Sequence, residues 1–513
     1  MRCTALLVLL AIVGVSALPA NFEPVDFTDI IAYAEAQEQL WLDNIQYGKD
    51  KPYPQTTGTD GLWSTGDYNN HESWGSNYGV GSAWMLYELT GKKQKWFDEG
   101  SRLQEYFLSN QFRTNSHDVG MICMTIYGNN YKFTGNTSME QILVNAAAAL
   151  STRYNPAVEL IMSWSTRANT YQVITDNMMN LELLLVAHKL TGNATFQKIA
   201  LDHARNTAKW FLREDGGSFH VLDMSVTNGR PLVRGTQQGY SAFSTWGRGH
   251  AWLVYGYAYM YKWTQLPEFK QLFEQVTQYW IDHQLPAADG SYVAVWDFDD
   301  PDKNKPRDTS ASAPLLAGLL RMALTEDKPA DSIYFEKAHY LMKEMSSSPY
   351  LNSTDHTWQS LLRQGSRDVP ANKQNTGISW GDYYYLESIT YYKEIVATLQ
   401  VQDHCSCSIF KMSMRDSDQS DQILNALEAF QDQKIAFLRE YPSCKKLVEE
   451  NYVCQRRGLT GGLNQDMSER NRCKKVSEDT LYCIGRSVCP RPCGHLSIVG
   501  KTSSDGANVS HPK

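Results

Sequence analysis

Across 513 residues the chain carries 48 Lys+Arg against 56 Asp+Glu, a formal net charge of −8, with 42% hydrophobic and 12% aromatic residues. That apolar content is enough to bury a large core and excludes a disordered chain. The acidic balance leaves no general positive field to gather polyanions, which excludes nucleic acid as a partner and requires any anionic ligand to be held by local groups.

Arg2, the apolar run Leu6 to Val15 and the small residues Val15-Ser16-Ala17 read as a secretory leader over residues 1–17. The run is shorter than the roughly 20 residues a membrane span needs, and no later stretch approaches that length. The sequence therefore predicts a secreted, extracellular protein without a membrane anchor, and sequons at Asn136, Asn193, Asn352 and Asn508 fit a glycoprotein.

Apolar helical patterns follow near 28–47, 77–90, 95–110, 119–133, 138–152, 176–190, 195–213, 247–263, 267–284, 311–324, 331–347 and 381–400. Several end in the same punctuation, Leu89-Thr90-Gly91, Phe133-Thr134-Gly135 and Leu190-Thr191-Gly192, where glycine supplies the left-handed cap and a second helix begins. The first helix of each pair is apolar almost throughout, as in Ala83-Trp84-Met85-Leu86-Tyr87. The second carries charge on one face, as in Lys198, Asp202, Arg205 and Lys209. Six enclosed and six amphipathic helices predict an all-α chain folded as an (α/α)6 barrel, with a helical solenoid as the other architecture.

Beyond residue 402 the composition changes. Cys405, Cys407, Cys444, Cys454, Cys473, Cys483, Cys489 and Cys493 crowd this end, whereas Cys123 lies in a predicted helix. In an exported chain such a set reads as disulfides, and paired CxxC knuckles for zinc are missing. The division is a leader (1–17), a barrel domain (18–402) and a small disulfide-rich module (403–513), a candidate for contact with an extracellular partner.

Up-and-down hairpins make the inner helices parallel and bring their starts to one end. That end collects Trp74-Gly75-Ser76, His117-Asp118, Asp176, Trp246-Gly247-Arg248, Arg307-Asp308-Thr309-Ser310 and Trp380-Gly381-Asp382. Helix N-termini present unpaired N–H groups and partial positive charge, so this funnel suits an anionic group. Asp176, Asn177 and Asn180 crowd the first turn of the very apolar helix through Leu190, which makes Asp176 the leading candidate for chemistry. A plain helix cap is the competing role for Asp176, an ion pair with an acid for Arg248, and a structural role for His117 and His220. No His/Asp/Glu spacing resembles a metal site, and no cofactor is expected.

His117-Asp118-Val119-Gly120, Ser163-Trp164, Asp176-Asn177-Met178-Met179-Asn180-Leu181, Gln238-Gly239-Tyr240, Ser244-Thr245-Trp246-Gly247-Arg248-Gly249-His250-Ala251-Trp252, Asp308-Thr309-Ser310-Ala311-Ser312-Ala313 and Trp380-Gly381-Asp382 stand in a recognisable order. Over about residues 60–400 the chain resembles the unsaturated glucuronyl hydrolases of glycoside hydrolase family 88. The resemblance implies an (α/α)6 barrel, Asp176 as general acid/base and Asp118 as a second essential carboxylate. It further implies His117, Trp164, His220, Gln238, Arg248, Trp252 and Trp296 as sugar-binding residues. This sequence departs from the family pattern at His250, where glutamine is usual, at Ala242-Phe243 and at Tyr78-Gly79-Val80-Gly81.

The implied reaction is hydration of the C4=C5 vinyl ether bond of a terminal unsaturated uronic acid, on oligosaccharides left by a polysaccharide lyase. A carboxylic acid gives a proton to C4 and then, as carboxylate, takes one from the water that attacks C5. Arg248 is suited to clamp the sugar carboxylate because its planar fork binds two oxygens at once. An unsaturated rhamnogalacturonyl hydrolase, a two-carboxylate glycosidase on the same barrel and a non-catalytic sugar-binding protein are the other readings.

Overall fold

The computed structural model describes residues 22–45, 53–64, 71–164, 170–284, 290–302 and 304–405. The leader at 1–17, the sequon at Asn508 and the cysteine-rich module lie outside these residues, apart from the backbone of the final helix up to Cys405.

The inner helices are those whose sequences leave no polar face. α2 (Asn77–Leu89), α9 (Gly247–Thr264) and α11 (Thr309–Ala323) are buried along almost their whole length. A further inner rod runs from α4 (Val119–Cys123) through a π-helical segment (Met124–Gly128) into α5 (Asn129–Thr134), and another runs from a 3-10 turn (Thr175–Asn180) into α7 (Leu181–Thr191). The last is α13 (Ser379–Cys405). The outer helices α1 (Thr28–Asn44), α3 (Gln94–Gln104), α6 (Ser138–Ser151), α8 (Ala194–Phe211), α10 (Pro267–Gln284) and α12 (Ile333–Met345) each bury one side. Gly135 and Gly192 end α5 and α7 in the left-handed region, φ 69° and 72°, as the repeated Thr-Gly punctuation requires.

Neighbouring inner helices touch in chain order, α9 lying between the turn ahead of α7 on one side and α11 on the other. α13 closes the ring. Its Tyr383 ring lies 5.4 Å from Tyr78 of α2, and its Ser388 hydroxyl donates to the Ala313 carbonyl of α11. Among the described residues this is a helical barrel of six inner and six outer helices. Deep inside, Arg321 of α11 is neutralised by Glu182 of α7, while the hydroxyls of Tyr255 and Tyr391 donate to Glu387 of α13.

The elements depart from the sequence expectation in several places. The rod expected over 119–133 changes hydrogen-bonding pattern in its middle, and α7 starts at Leu181 rather than 176, because residues 175–180 form a 3-10 turn. More consequential, in a chain expected to be all-α, are two antiparallel pairings: β1 (Tyr154–Asn155) with β2 (Leu160–Ile161), and a sheet of β3 (Thr170–Ile174), β4 (Val221–Ser225) and β5 (Pro231–Gly235). A cluster of Val158, Leu160, Tyr171, Val173, Phe211, Leu222 and Met224 anchors it.

At one point two inner elements meet backbone to backbone. A Cβ on Gly120 would lie 2.4 Å from the carbonyl oxygen of Asn180 and 2.5 Å from its Cα, so only glycine allows α4 to approach the 3-10 turn this closely. Gly120→Ala should cost about 1–3 kcal/mol by forcing the two apart, to be read as a lower urea midpoint at unchanged slope; a midpoint equal to that of the parent would refute the contact.

Candidate active site

Asp176 owes its place to the sheet. β3 runs directly into the turn that carries it, and β4 begins just after His220; the register pairs Ile174 with Val221. Thr175 and His220 therefore fall opposite each other, and the Thr175 N–H donates to the His220 carbonyl at 3.1 Å. This brings His220 Nε2 to 3.5 Å from Asp176 Oδ2. The Gln237 N–H points at His220 Nδ1 from 3.4 Å, which assigns the proton of a neutral ring to Nε2, facing Asp176. Asp176 does not cap a helix. Its turn follows Ile174 and α7 follows Asn180, with no side-chain capping bond at either start.

His117 and Asp118 lie at the start of α4. Asp118 is fixed at both oxygens: the Ser116 hydroxyl donates to Oδ2 at 2.7 Å, and His117 Nε2 stands 3.1 Å from Oδ1. On the other side of the ring, His117 Nδ1 is 2.7 Å from Asn177 Oδ1. The Asn177 amide nitrogen is already committed to the Ile161 carbonyl and the Ser163 hydroxyl, so its oxygen accepts and Nδ1 carries a proton. Both imidazole nitrogens thus lie within 3.1 Å of an oxygen. Burial disfavours the imidazolium, but the charge and hydrogen bond of Asp118, the charge of Asp176 and the Asn177 bond outweigh it and raise the His117 pKa above 6.5. Burial likewise opposes the Asp118 carboxylate, and His117 and Ser116 overcome it, holding its pKa below 3.8. Trp164 packs edge-on against His117 at 4.8 Å and is 37% exposed, so it keeps an open ring surface at the mouth.

Arg248 lies one residue inside α9 and is 1% exposed. Its Nη1 donates to Asp308 Oδ2 at 2.9 Å, the Ser310 hydroxyl at 3.2 Å and the Ser366 carbonyl at 2.7 Å, and Nη2 donates to the Arg367 carbonyl at 2.6 Å. The rings of Trp246 and Trp380 lie 4.4 and 5.5 Å away. The guanidinium is thus an ion-paired tie between α9, α11 and the 364–377 loop, the competing role that the sequence left open for it. Gln238 adds to the same tie, its amide donating to the Arg367 carbonyl at 2.8 Å.

Trp252 and Trp296, which the resemblance implies as sugar-binding residues, lie inside the protein. Trp252 is wholly buried against Tyr384. Trp296 is 4% exposed, with its indole N–H donated to Asp300. Neither presents a ring face to the mouth. The departure at His250 has a structural explanation: Nε2 bonds the Val276 carbonyl of α10 at 2.7 Å and Nδ1 the Ser218 hydroxyl at 3.1 Å, so the ring joins an inner helix to an outer one. Burial brings its pKa down to about 4, which keeps it neutral there.

The site also uses groups the sequence reading did not assign to it. Asn177 orients His117, Asn180 Oδ1 accepts the Met121 N–H at 2.7 Å, and Trp246 lies 4.3 Å from His220. Asp308 caps α11 through the Ser310 N–H and is the acid that pairs with Arg248, a pairing the sequence allowed without naming its partner. Among the described residues no group of three or more His, Cys, Asp or Glu is arranged to hold a metal ion.

Two carboxylates, each beside an imidazole, at the helix-start end of a helical barrel are the equipment of a glycoside hydrolase that works by proton transfer. Residues 51–397 match the profile of Glycosyl Hydrolase Family 88, and the chain belongs to that family. It is 33% identical over 330 residues to an unsaturated glucuronyl hydrolase of Formosa agariphila, covering 62% of this chain and 79% of that protein. An unsaturated chondroitin disaccharide hydrolase of Streptococcus agalactiae is 28% identical over 374 residues, 71% of this chain and 91% of that one. The crystal structure of an unsaturated glucuronyl hydrolase specific for heparin superposes with a TM-score of 0.66 at 30% identity, over 72% of this chain and 99% of that chain.

The His117–Asp118 pair sets a pH dependence. The imidazolium contribution is complete below 6.5 and is lost as pH rises through the raised His117 pKa; the carboxylate contribution is complete above 3.8 and is lost as pH falls through the depressed Asp118 pKa. Asp118→Asn should therefore destabilise the fold most between those values and less at alkaline pH, while lowering the titration midpoint of His117. Urea melts across pH together with NMR titration of the imidazole test this, and an unmoved midpoint would exclude the pairing.

Proposed function

We propose that the enzyme removes the terminal 4,5-unsaturated uronic acid from lyase-generated oligosaccharides by hydrating the C4=C5 bond, with Asp176 as the proton-transferring group. One observation carries the reading. Asp118 and Asp308 are each fixed by hydrogen bonds of 2.9 Å or less, whereas the side-chain contacts of Asp176 are 3.5 Å to His220 and 3.4 Å to Thr175. Its oxygens are thus the least committed of the three, and the side chain is 15% exposed at the mouth. Asp176 as the acid protonates C4; a water adds to C5 and gives its proton to the resulting carboxylate, which restores the acid. The C5 hemiketal so formed opens, releasing the former unsaturated residue as a 4-deoxy-5-keto uronic acid together with the shortened oligosaccharide. Asp118, kept ionised by His117, supplies a fixed negative charge beside the positive charge that develops at C5.

Loss of the ultraviolet absorbance of unsaturated disaccharides tests the reading, because that signal belongs to the C4=C5 bond and separates hydration from ordinary glycoside cleavage. Asp176→Asn should reduce kcat by about 10²- to 10⁴-fold with the fold retained. Near-normal turnover in that variant would remove Asp176 from the reaction, and glycoside cleavage with the absorbance retained would favour the two-carboxylate glycosidase.

The same reading takes the enzyme to be exported, with residues 403–513 as a disulfide-stapled module for an extracellular partner. Expression from its own reading frame should deliver it to the medium with the leader removed, as N-terminal sequencing would report; retention inside the cell with the leader intact would count against export.

A further inference from the structure

On the outside of the barrel, β5 and the end of α8 enclose a groove of about 720 Å³, within the range of about 300–1,000 Å³ usual for ligand sites. None of its lining residues belongs to the active site described above, but β5 joins the two: the carbonyl of Gly235, at the end of that strand, accepts the His220 N–H at 3.0 Å. The groove is lined by Lys209, Arg230 and Arg234, all exposed. Elsewhere on α8 and just beyond it, cations are paired, Lys198 with Asp202, Arg205 with Glu268 and Arg213 with Asp215. Among the described residues, the three groove cations have no such carboxylate. The one acid lining the groove, Glu159, receives the Asn206 amide at 3.2 Å. Trp210 holds two of the cations without neutralising them, with Lys209 Nζ 4.4 Å and the Arg234 guanidinium 5.9 Å from its ring.

In a chain of net charge −8, three cations gathered into one concavity form a local positive field of the kind that concentrates an anionic ligand. We propose that the groove binds a sulfated glycan chain, the arginine forks receiving sulfate oxygens in pairs while the active site acts on chain ends. The choice of glycan rests on the substrate class proposed above; the anion-binding geometry does not.

The test uses the full chain and a saturated chondroitin sulfate hexasaccharide, which has no C4=C5 bond, with affinity measured by calorimetry. The Arg230→Ala/Arg234→Ala double variant should bind it about tenfold or more weakly and should turn over an unsaturated disaccharide at the parent rate. Lysine at both positions should restore most of the affinity, and the desulfated hexasaccharide should bind the parent weakly. Equal binding by parent and double variant, or no binding by the parent, would overturn the proposal. So would a single-stranded oligonucleotide of matched charge binding as tightly, since the surface would then not select glycans. A parent unable to hydrate the disaccharide would instead refute the proposed function and leave the groove result to stand by itself.

Discussion

The site depends on a stitch between the starts of two inner elements. Asn177 holds the His117 ring, Asn180 holds the Met121 N–H, and Gly120 lets the two backbones touch. Each bond is buried, where a hydrogen bond is strengthened by the low dielectric and an unmade one is costly. Asp118 and Asp176 inherit their mutual placement from this seam, because each is adjacent in sequence to a residue of the His117–Asn177 bond. The carboxylates need no direct contact to be held in register.

A second layer of constraint supports the first. The Arg248–Asp308 pair is almost completely buried, and burying two charges is repaid only when geometry and further hydrogen bonds are good. Here both conditions hold: the guanidinium also meets the Ser310 hydroxyl and two loop carbonyls, while Asp308 also accepts the N–H groups of Ser310 and Ser366. The pair thus fixes the 364–377 loop to the barrel, and Gln238 fastens the neighbouring loop to the same carbonyl of Arg367. Rigid loops around the helical mouth fix the surroundings of Asp176, whose own side-chain contacts are long.

Much of this was legible in the sequence. Apolar helices alternating with amphipathic ones, separated by Thr-Gly, gave the twelve-helix count, and the shared direction of the inner helices placed His117, Asp118 and Asp176 in one region, whereas His220 was suggested only by the family resemblance. What escaped has identifiable causes. The sheet consists of strands of five residues, and its β5 is mostly exposed, so it lacks the alternation that would reveal it. The burial of Arg248 rests partly on carbonyls of Ser366 and Arg367, and a backbone acceptor leaves no mark in residue identity. Trp252 and Trp296 entered the sugar-binding set only through the family resemblance, and a tryptophan that packs in a core and one that meets a ligand look the same in one sequence.

The closure of the ring by α13 bears on how the chain folds. α2, the first inner helix to emerge from the ribosome, has as its lateral partner the last one, through Tyr78 and Tyr383. Until residue 383 has been synthesised, the apolar flank of α2 stays open to water and to other nascent chains. Contacts that close so late in sequence demand a large loss of chain entropy before they reward it, and they expose intermediates to aggregation in the meantime. The final helix therefore acts as a keystone: the earlier hairpins can form pairwise as they appear, but the ring, and with it the funnel at its mouth, is complete only when synthesis of the barrel ends.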